Sequence, residues 1–295
     1  MPSILLDVPH ALDLRRTLAP LAHGTGDPTI RFAADGIWRA LRADSGPATL
    51  HLTTDTGRVT AQAWGDGAVE ALARLPALLG LEDDPGKLIS GHPVLRDLAR
   101  RFAGVRLPRT GRRFEALLPA ILEQKVTGVE ARRSYRELIR RYGEPAPGPA
   151  PLRLAPKPAT LAALPYHAYH PLGLERRRAD VIRRAAAVAP RLEAAAPEAA
   201  RRLLGAIPGV GPWTTAEVFR VADGDPDAIS VGDYHLPHLV GWLLAGEARA
   251  DDRRMLELLE PYRGQRGRVQ RLLELSGMAA PRRGPRMPTR QIAGL

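Results

Sequence analysis

The chain contains no cysteine. That excludes disulfides, zinc–thiolate sites and any cysteine-held iron–sulfur cluster. Lysine is almost absent as well, limited to Lys87, Lys125 and Lys157 beside 40 arginines. No apolar run reaches the roughly 20 residues that span a bilayer. The opening Met1-Pro2-Ser3-Ile4 lacks the basic head of a signal peptide. A cytoplasmic location and no membrane partner are therefore expected.

What remains is ample for folding. Hydrophobic residues make up 44% of 295, enough for two or three structural units with packed cores. The net charge of +11 is unevenly spread. Residues 1–84 carry 7 basic and 11 acidic side chains, whereas residues 85–295 carry 36 and 21. Arginine in place of lysine reflects compositional bias, but bias does not explain the asymmetry. A polyanionic partner for the second part does, because clustered cations release counterions from a phosphate backbone.

Residues 1–84 read as an α+β unit. Strands are expected at Ile4–Val8, Thr29–Ala33, Ile37–Arg42, Thr49–Thr54 and Arg58–Trp64. In the fourth of these, Leu50, Leu52 and Thr54 alternate with His51 and Thr53, a half-buried period of two. Helices are expected at Ala11–Leu21 and Gly67–Leu79, the latter with Val69, Leu72, Leu75 and Leu79 on one side. The order implies a curved antiparallel sheet backed by helices. Residues 85–280 read as all-helical, with segments at 93–103, 112–126, 129–142, 175–192, 197–206, 212–222, 233–245, 251–261 and 267–276. The run Glu144-Pro-Ala-Pro-Gly-Pro-Ala-Pro151 reads as a surface connection that no regular helix crosses. Residues 281–295 form a basic tail, expected to be disordered.

The most specific stretch is Leu203-Leu204-Gly205-Ala206-Ile207-Pro208-Gly209-Val210-Gly211-Pro212-Trp213-Thr214. Pro208-Gly209 makes a tight turn, Val210 plugs the core, and Gly211-Pro212 opens the next helix. Glycines on either side of one apolar residue let backbone amides face outward at a positive helix N-terminus, which suits a phosphate. Twenty residues after Trp213, Ser230-Val231-Gly232-Asp233-Tyr234-His235-Leu236 brings Asp233 to the start of a helix. An Asp there is also an ordinary N-cap. His235/His238 and His167/His170 share an i,i+3 spacing without a carboxylate motif, so no metal site is expected.

The hairpin and its downstream Asp resemble the HhH-GPD superfamily of DNA glycosylases, most closely the 3-methyladenine-DNA glycosylase II subfamily. Arg106-Leu107-Pro108, Phe114-Glu115-Ala116 and Ile121-Leu122-Glu123-Gln124-Lys125-Val126-Thr127 extend the match, as do Leu172-Gly173-Leu174 and Arg177-Arg178-Ala179. The resemblance implies a sheet like half of the TATA-binding protein, followed by two helical subdomains. It implies a monofunctional N-glycosylase that flips a damaged, alkylated purine out of double-stranded DNA, with Asp233 as the catalytic carboxylate. Trp213 stands where bifunctional relatives place a Schiff-base lysine. The implied base pocket comprises Trp213, Tyr234 and Glu217, with Glu217 where an aromatic residue is usual. The implied DNA contacts are Gln124, Lys125, Pro208, Gly209, Val210, Gly211, Thr214 and His235. Lys125 takes the place of a gap-filling leucine, and Gln124 would share the vacated stack. No cofactor is required, although a monovalent cation at the hairpin carbonyls is implied, and a monomer is expected. Two alternatives stay open: a glycosylase for oxidised, deaminated or mismatched bases, and a non-catalytic helix-hairpin-helix DNA-binding protein.

Overall fold

The computed structural model describes residues 1–8, 12–89 and 91–281. The expectation for the basic tail therefore lies, from residue 282 onward, outside the described residues, as does the first residue of the Ala11–Leu21 helix. Five strands, β1 (Ser3–Asp7), β2 (Ile30–Ala33), β3 (Gly36–Ala43), β4 (Gly46–Asp55) and β5 (Arg58–Trp64), form one antiparallel sheet in the order β1-β5-β4-β3-β2. Register follows the alternation read in the sequence: Leu52 faces Ile37 and Ala61, and Leu50 faces Arg39 and Ala63. This face packs on α1 (Leu14–Leu18), α2 (Ala68–Ala73) and α3 (Leu75–Leu78).

The expected Gly67–Leu79 helix is broken at Arg74, because Pro76 near the start of α3 cannot donate a helical hydrogen bond. Its buried stripe is Ala68, Ala71, Leu72 and Leu75, while Val69 is 72% exposed, one position off the face expected for it. The sheet's other face carries Trp38 stacked on His51, with ring centroids 3.9 Å apart. The proline-rich segment covers this face. It folds back through β6 (Glu144–Pro145) and β7 (Arg153–Leu154), burying Ala150, Leu152 and Leu154 against Trp38. The run itself is largely at the surface, as expected, and only Ala150 within it is buried, next to Leu152 and Leu154 beyond its end.

Eleven helices follow among the described residues: α4 (Pro93–Arg101), α5 (Arg113–Leu122), α6 (Gly128–Tyr142), α7 (Pro158–Ala163), α8 (Tyr166–Tyr169), α9 (Arg176–Ala194), α10 (Pro197–Gly205), α11 (Pro212–Val218), α12 (Leu236–Ala245), α13 (Asp252–Leu259) and α14 (Arg266–Leu275). The short α7 and α8 were not expected from the sequence. No described helix is long and apolar enough to cross a membrane.

The helices build two separate cores. Helices α5–α11 surround Leu117, Ile121, Ile182 and Phe219, whereas α4 joins α12–α14 around Leu95, Leu98, Val240 and Met255. The link from α11 to α12 crosses between them: Ala228 belongs to the first core, and Ile229 and Val231 pack against the second. Helix α5 is fixed at its N-terminus, where the Glu193 carboxylate accepts the Arg113 and Phe114 amides at 3.0 and 2.8 Å. Arg113 also grips Asp223 through two hydrogen bonds. A 2.5 Å ion pair joins Glu115 of α5 to Arg39, buried in the sheet. The C-terminal end of α5 is therefore held at a fixed place relative to both sheet and hairpin.

Candidate active site

Helices α10 and α11 make the hairpin, and its turn follows the sequence reading closely. Val210 is buried in the first core, and its amide donates to the Ile207 carbonyl at 2.9 Å. Pro208 and Gly209 are exposed. Gly209 has φ +99°, and a Cβ there would lie 2.4 Å from Val181 Cγ2, so only glycine fits. Gly211 differs. Its φ of −108° is ordinary extended backbone, and a Cβ would meet nothing within 4 Å. Its glycine serves neither backbone strain nor packing; it leaves bare space outside the turn. Among the described residues the Gly209 and Gly211 amides have no hydrogen-bond partner, as an outward-facing anion site requires.

Asp233 lies three residues before the first residue of α12. Its Oδ1 accepts the His235 and Leu236 amides at 2.7 and 2.8 Å, a side-chain turn leading into α12 two residues ahead of the N-cap position, His235. Its Oδ2 accepts the Trp213 indole N–H at 3.1 Å. That turn explains one oxygen and leaves the other aimed across the seam at the hairpin helix. Gly232 (φ +93°) turns the loop beside Trp213, and its amide donates to Asp252 at 3.1 Å. Trp213 is half-buried, with its polar edge spent on Asp233. Tyr234 is 80% exposed, edge-on to His235 with centroids 4.9 Å apart. His235 is also exposed. His238 accepts the Ala250 amide through Nδ1, so it does not pair with His235 as a metal ligand.

The α5–α6 turn reaches the same place. The expected 112–126 helix stops at Leu122, and Lys125 adopts φ +54°. Only Thr56 shares such a backbone among the described non-glycine residues. That strained conformation presents an exposed lysine at the turn's tip. Gln124 lies beside the hairpin. Its Nε2 donates to the Gly209 carbonyl and to Thr214 Oγ1, both at 2.9 Å, so it braces the hairpin from the side. Thr214 is 2% exposed. Its hydroxyl serves this brace, and its side chain does not face outward.

Sequence reasoning passed over Glu123, the residue beside Gln124. Although its side chain still reaches water, the surrounding protein, then Glu217, and more weakly Asp233, push its carboxyl up to about 7 against the pull of Arg132. Glu217 itself is bonded to Ser230 and Arg220. A cavity of about 580 Å³ is lined by Val210, Gly211, Pro212 and Thr215 of the hairpin together with Asp225 and Asp227. It lies away from Asp233, and its two arginines, Arg201 and Arg266, are already paired with Asp225 and Asp227.

A glycine-cornered hairpin, an aspartate loop twenty residues on and the strained Lys125 turn thus lie together in the fold. No protein-family model matches the chain. It is 28% identical over 222 residues to the DNA-3-methyladenine glycosylase 2 of Escherichia coli strain K12, covering 73% of each chain. It is 28% identical over 235 residues to the probable bifunctional transcriptional activator/DNA repair enzyme AlkA of Mycobacterium tuberculosis. That match covers 70% of this chain and 47% of the relative, so the chain spans about half the length of the mycobacterial protein. A solved 3-methyladenine DNA glycosylase from Archaeoglobus fulgidus shares the fold with a TM-score of 0.80 at 20% identity, covering 93% of this chain and 98% of its own. An 8-oxoguanine glycosylase/lyase of Clostridium acetobutylicum, solved with double-stranded DNA containing cytosine opposite 8-oxoguanine, shares it at 0.74 and 13%, covering 94% and 96%. The chain is thus similar in sequence to a DNA-3-methyladenine glycosylase and shares the fold of solved DNA glycosylases.

The two hairpin glycines should separate folding from binding. Gly209→Ala is expected to lose about 1–3 kcal/mol of stability in denaturant unfolding, since both φ and Val181 oppose it. Gly211→Val is expected to stay within about 0.5 kcal/mol of the wild type while losing affinity for any duplex, read by fluorescence anisotropy. Wild-type DNA affinity in the valine variant would show that the hairpin is not the anchor.

Proposed function

We propose that the chain is a monofunctional N-glycosylase that hydrolyses alkylated purines from double-stranded DNA in base-excision repair. The observation that carries this reading is the Asp233 carboxylate, held by the turn into α12 and the Trp213 indole beside the anion-ready hairpin turn. A base inside a duplex hides its glycosidic bond, so the nucleotide must rotate out. The Gly209 and Gly211 amides would hold backbone phosphates next to the lesion, with the exposed Arg184, which donates to the Pro208 carbonyl at 3.4 Å, close by. Lys125 would fill the gap with its aliphatic stem, and Gln124 would keep wedge and hairpin in register. Trp213 and Tyr234 offer ring faces to the extruded base, and His235 stands exposed at the cleft for a DNA contact.

The chemistry asks little of a proton donor. An alkylated purine carries a positive charge and leaves readily. The remaining task is to stabilise an oxocarbenium-like sugar and orient water, both suited to the Asp233 carboxylate. Glu123 and Glu217 near Asp233 favour a cationic base over a neutral one, and the name of the Escherichia coli relative supports the same substrate class. The hairpin helix offers Trp213 where a Schiff-base amine would be needed, which supports hydrolysis without strand cleavage. A monovalent cation at the hairpin carbonyls would compete with the Val210 amide, Arg184 and Gln124, which already donate to Ile207, Pro208 and Gly209. No step here uses one.

Two experiments test this reading. Across a panel of lesion duplexes, the wild type should release alkylated purines and leave an intact abasic strand, with no borohydride-trapped adduct. Asp233→Asn should slow release by at least about 100-fold while DNA binding survives. Near-normal excision by this variant, or a trapped adduct, would overturn the mechanism. The second concerns pH. Glu123 carries its proton below about 7 and adds a negative charge to the DNA site above it. Affinity for an abasic duplex should therefore fall as pH rises from about 6 to 8, and Glu123→Gln should flatten that fall. An identical pH profile in the glutamine variant would remove Glu123 from the site.

A further inference from the structure

Behind Asp233, where α11, α14 and the loop from Ala228 to His235 meet, five polar side chains close a ring. Ser230 donates its hydroxyl to Glu217 in a short hydrogen bond and receives Gln270 Nε2 at 3.0 Å. Gln270 also donates to Glu274 at 2.8 Å, and its Oε1 accepts the Ser230 amide at 3.1 Å. Arg220 completes the ring, reaching Glu217 at 3.0 Å and Glu274 at 2.8 Å. Burial disfavours the Arg220 charge, but Glu274 and Glu217 more than offset it and hold its pKa above the ordinary value. Ser230 and Gln270 are 1% and 2% exposed.

Such a ring is a poor device for stability alone. Desolvating two carboxylates and a guanidinium costs as much as their attraction returns, and an apolar seam would hold two cores at least as well. What the ring supplies is a single arrangement, since its donors and acceptors interlock: Gln270 Nε2 meets both Ser230 and Glu274, and Arg220 meets both carboxylates. Its members also sit where register matters. Glu217 lies one helical turn beyond Trp213 on the same face of α11. Helix α11 therefore holds the loop at two points: Glu217 takes Ser230, and Trp213 takes Asp233. Between them the Asp233 amide closes the turn onto the Ser230 carbonyl at 3.2 Å.

Resting on the glycosylase reading, we propose that Glu217 and Ser230, backed by Arg220, Gln270 and Glu274, are positioning residues that set the Asp233 carboxylate against Trp213. None of the five need touch the base. A hinge between two cores would otherwise let the loop slide along α11, and a displacement of about 1 Å at a catalytic group can cost about 100-fold in rate.

The test is Ser230→Ala, which deletes the shared hydroxyl and adds no bulk. Single-turnover base release should fall about 10- to 100-fold, while affinity for a tetrahydrofuran abasic duplex stays within about twofold. The Trp213 indole N–H resonance, assigned by its loss in Trp213→Phe, should shift and exchange faster with solvent. Glu217→Gln keeps an acceptor for Ser230 and should retain most of the rate that Glu217→Ala loses. Wild-type release and an unmoved indole resonance in Ser230→Ala would overturn the proposal. So would parallel losses of rate, affinity and melting temperature without rescue by glutamine. A wild-type chain that releases no base from any duplex would defeat the glycosylase reading instead. The indole resonance would still decide the positioning role, supporting it if shifted in Ser230→Ala and refuting it if unmoved.

Discussion

The carboxylate of Asp233 is held from two directions, by amides at the start of α12 and by the indole of α11. Those helices belong to different hydrophobic cores, so this one group has a defined place only while the cores keep theirs. Much of the surrounding structure serves that condition. Glu193 and Arg113 fix α5 against α9 and the segment after α11, and Gln124 ties the end of α5 to the hairpin. The Lys125 turn, the hairpin turn and the Asp233 carboxylate are thereby referred to one frame, as the proposed catalysis by a preorganised charge would demand.

The same arrangement reconciles two explanations of Asp233 that look like rivals in the sequence. An aspartate near a helix start is expected to bond the first amides, and Asp233 does so from two residues before the N-cap position. That turn consumes one oxygen and leaves the other to the Trp213 indole, so the structural role is compatible with the proposed chemical one. Trp213 illustrates the point from the opposite side. It is neither a buried core residue nor a free platform, because its N–H is committed to Asp233 while part of the ring remains accessible.

The legible parts of the chain are those governed by local rules. Strand alternation at Leu50 and Leu52 gave the sheet register, and the Pro-Gly-Val-Gly run located the hairpin with Val210 inward. Long-range pairing was hidden. Nothing near Gln124 announces that its partners are 85 and 90 residues away. Glu217 enters the sequence reading only as an implied pocket residue, and nothing near it announces that Ser230 and Arg220 close on it. One signal was available: Gln270 falls among Val269, Leu272 and Leu273 on the buried side of α14, where a polar residue demands partners. The proline-rich run reads correctly as a largely exposed connection, but nothing in it announces that Ala150 and the two leucines after it cover Trp38.

In the proposed mechanism Asp233 stabilises positive charge developing on the sugar. A duplex carrying a cationic pyrrolidine in place of the lesion's sugar mimics that charge, and a neutral tetrahydrofuran duplex has the same shape without it. Their affinities for the wild type and Asp233→Asn, measured side by side, test the claim most directly. The wild type should bind the cation at least about 100-fold more tightly, and the variant should lose most of that preference. Equal wild-type affinity for the two duplexes would contradict it.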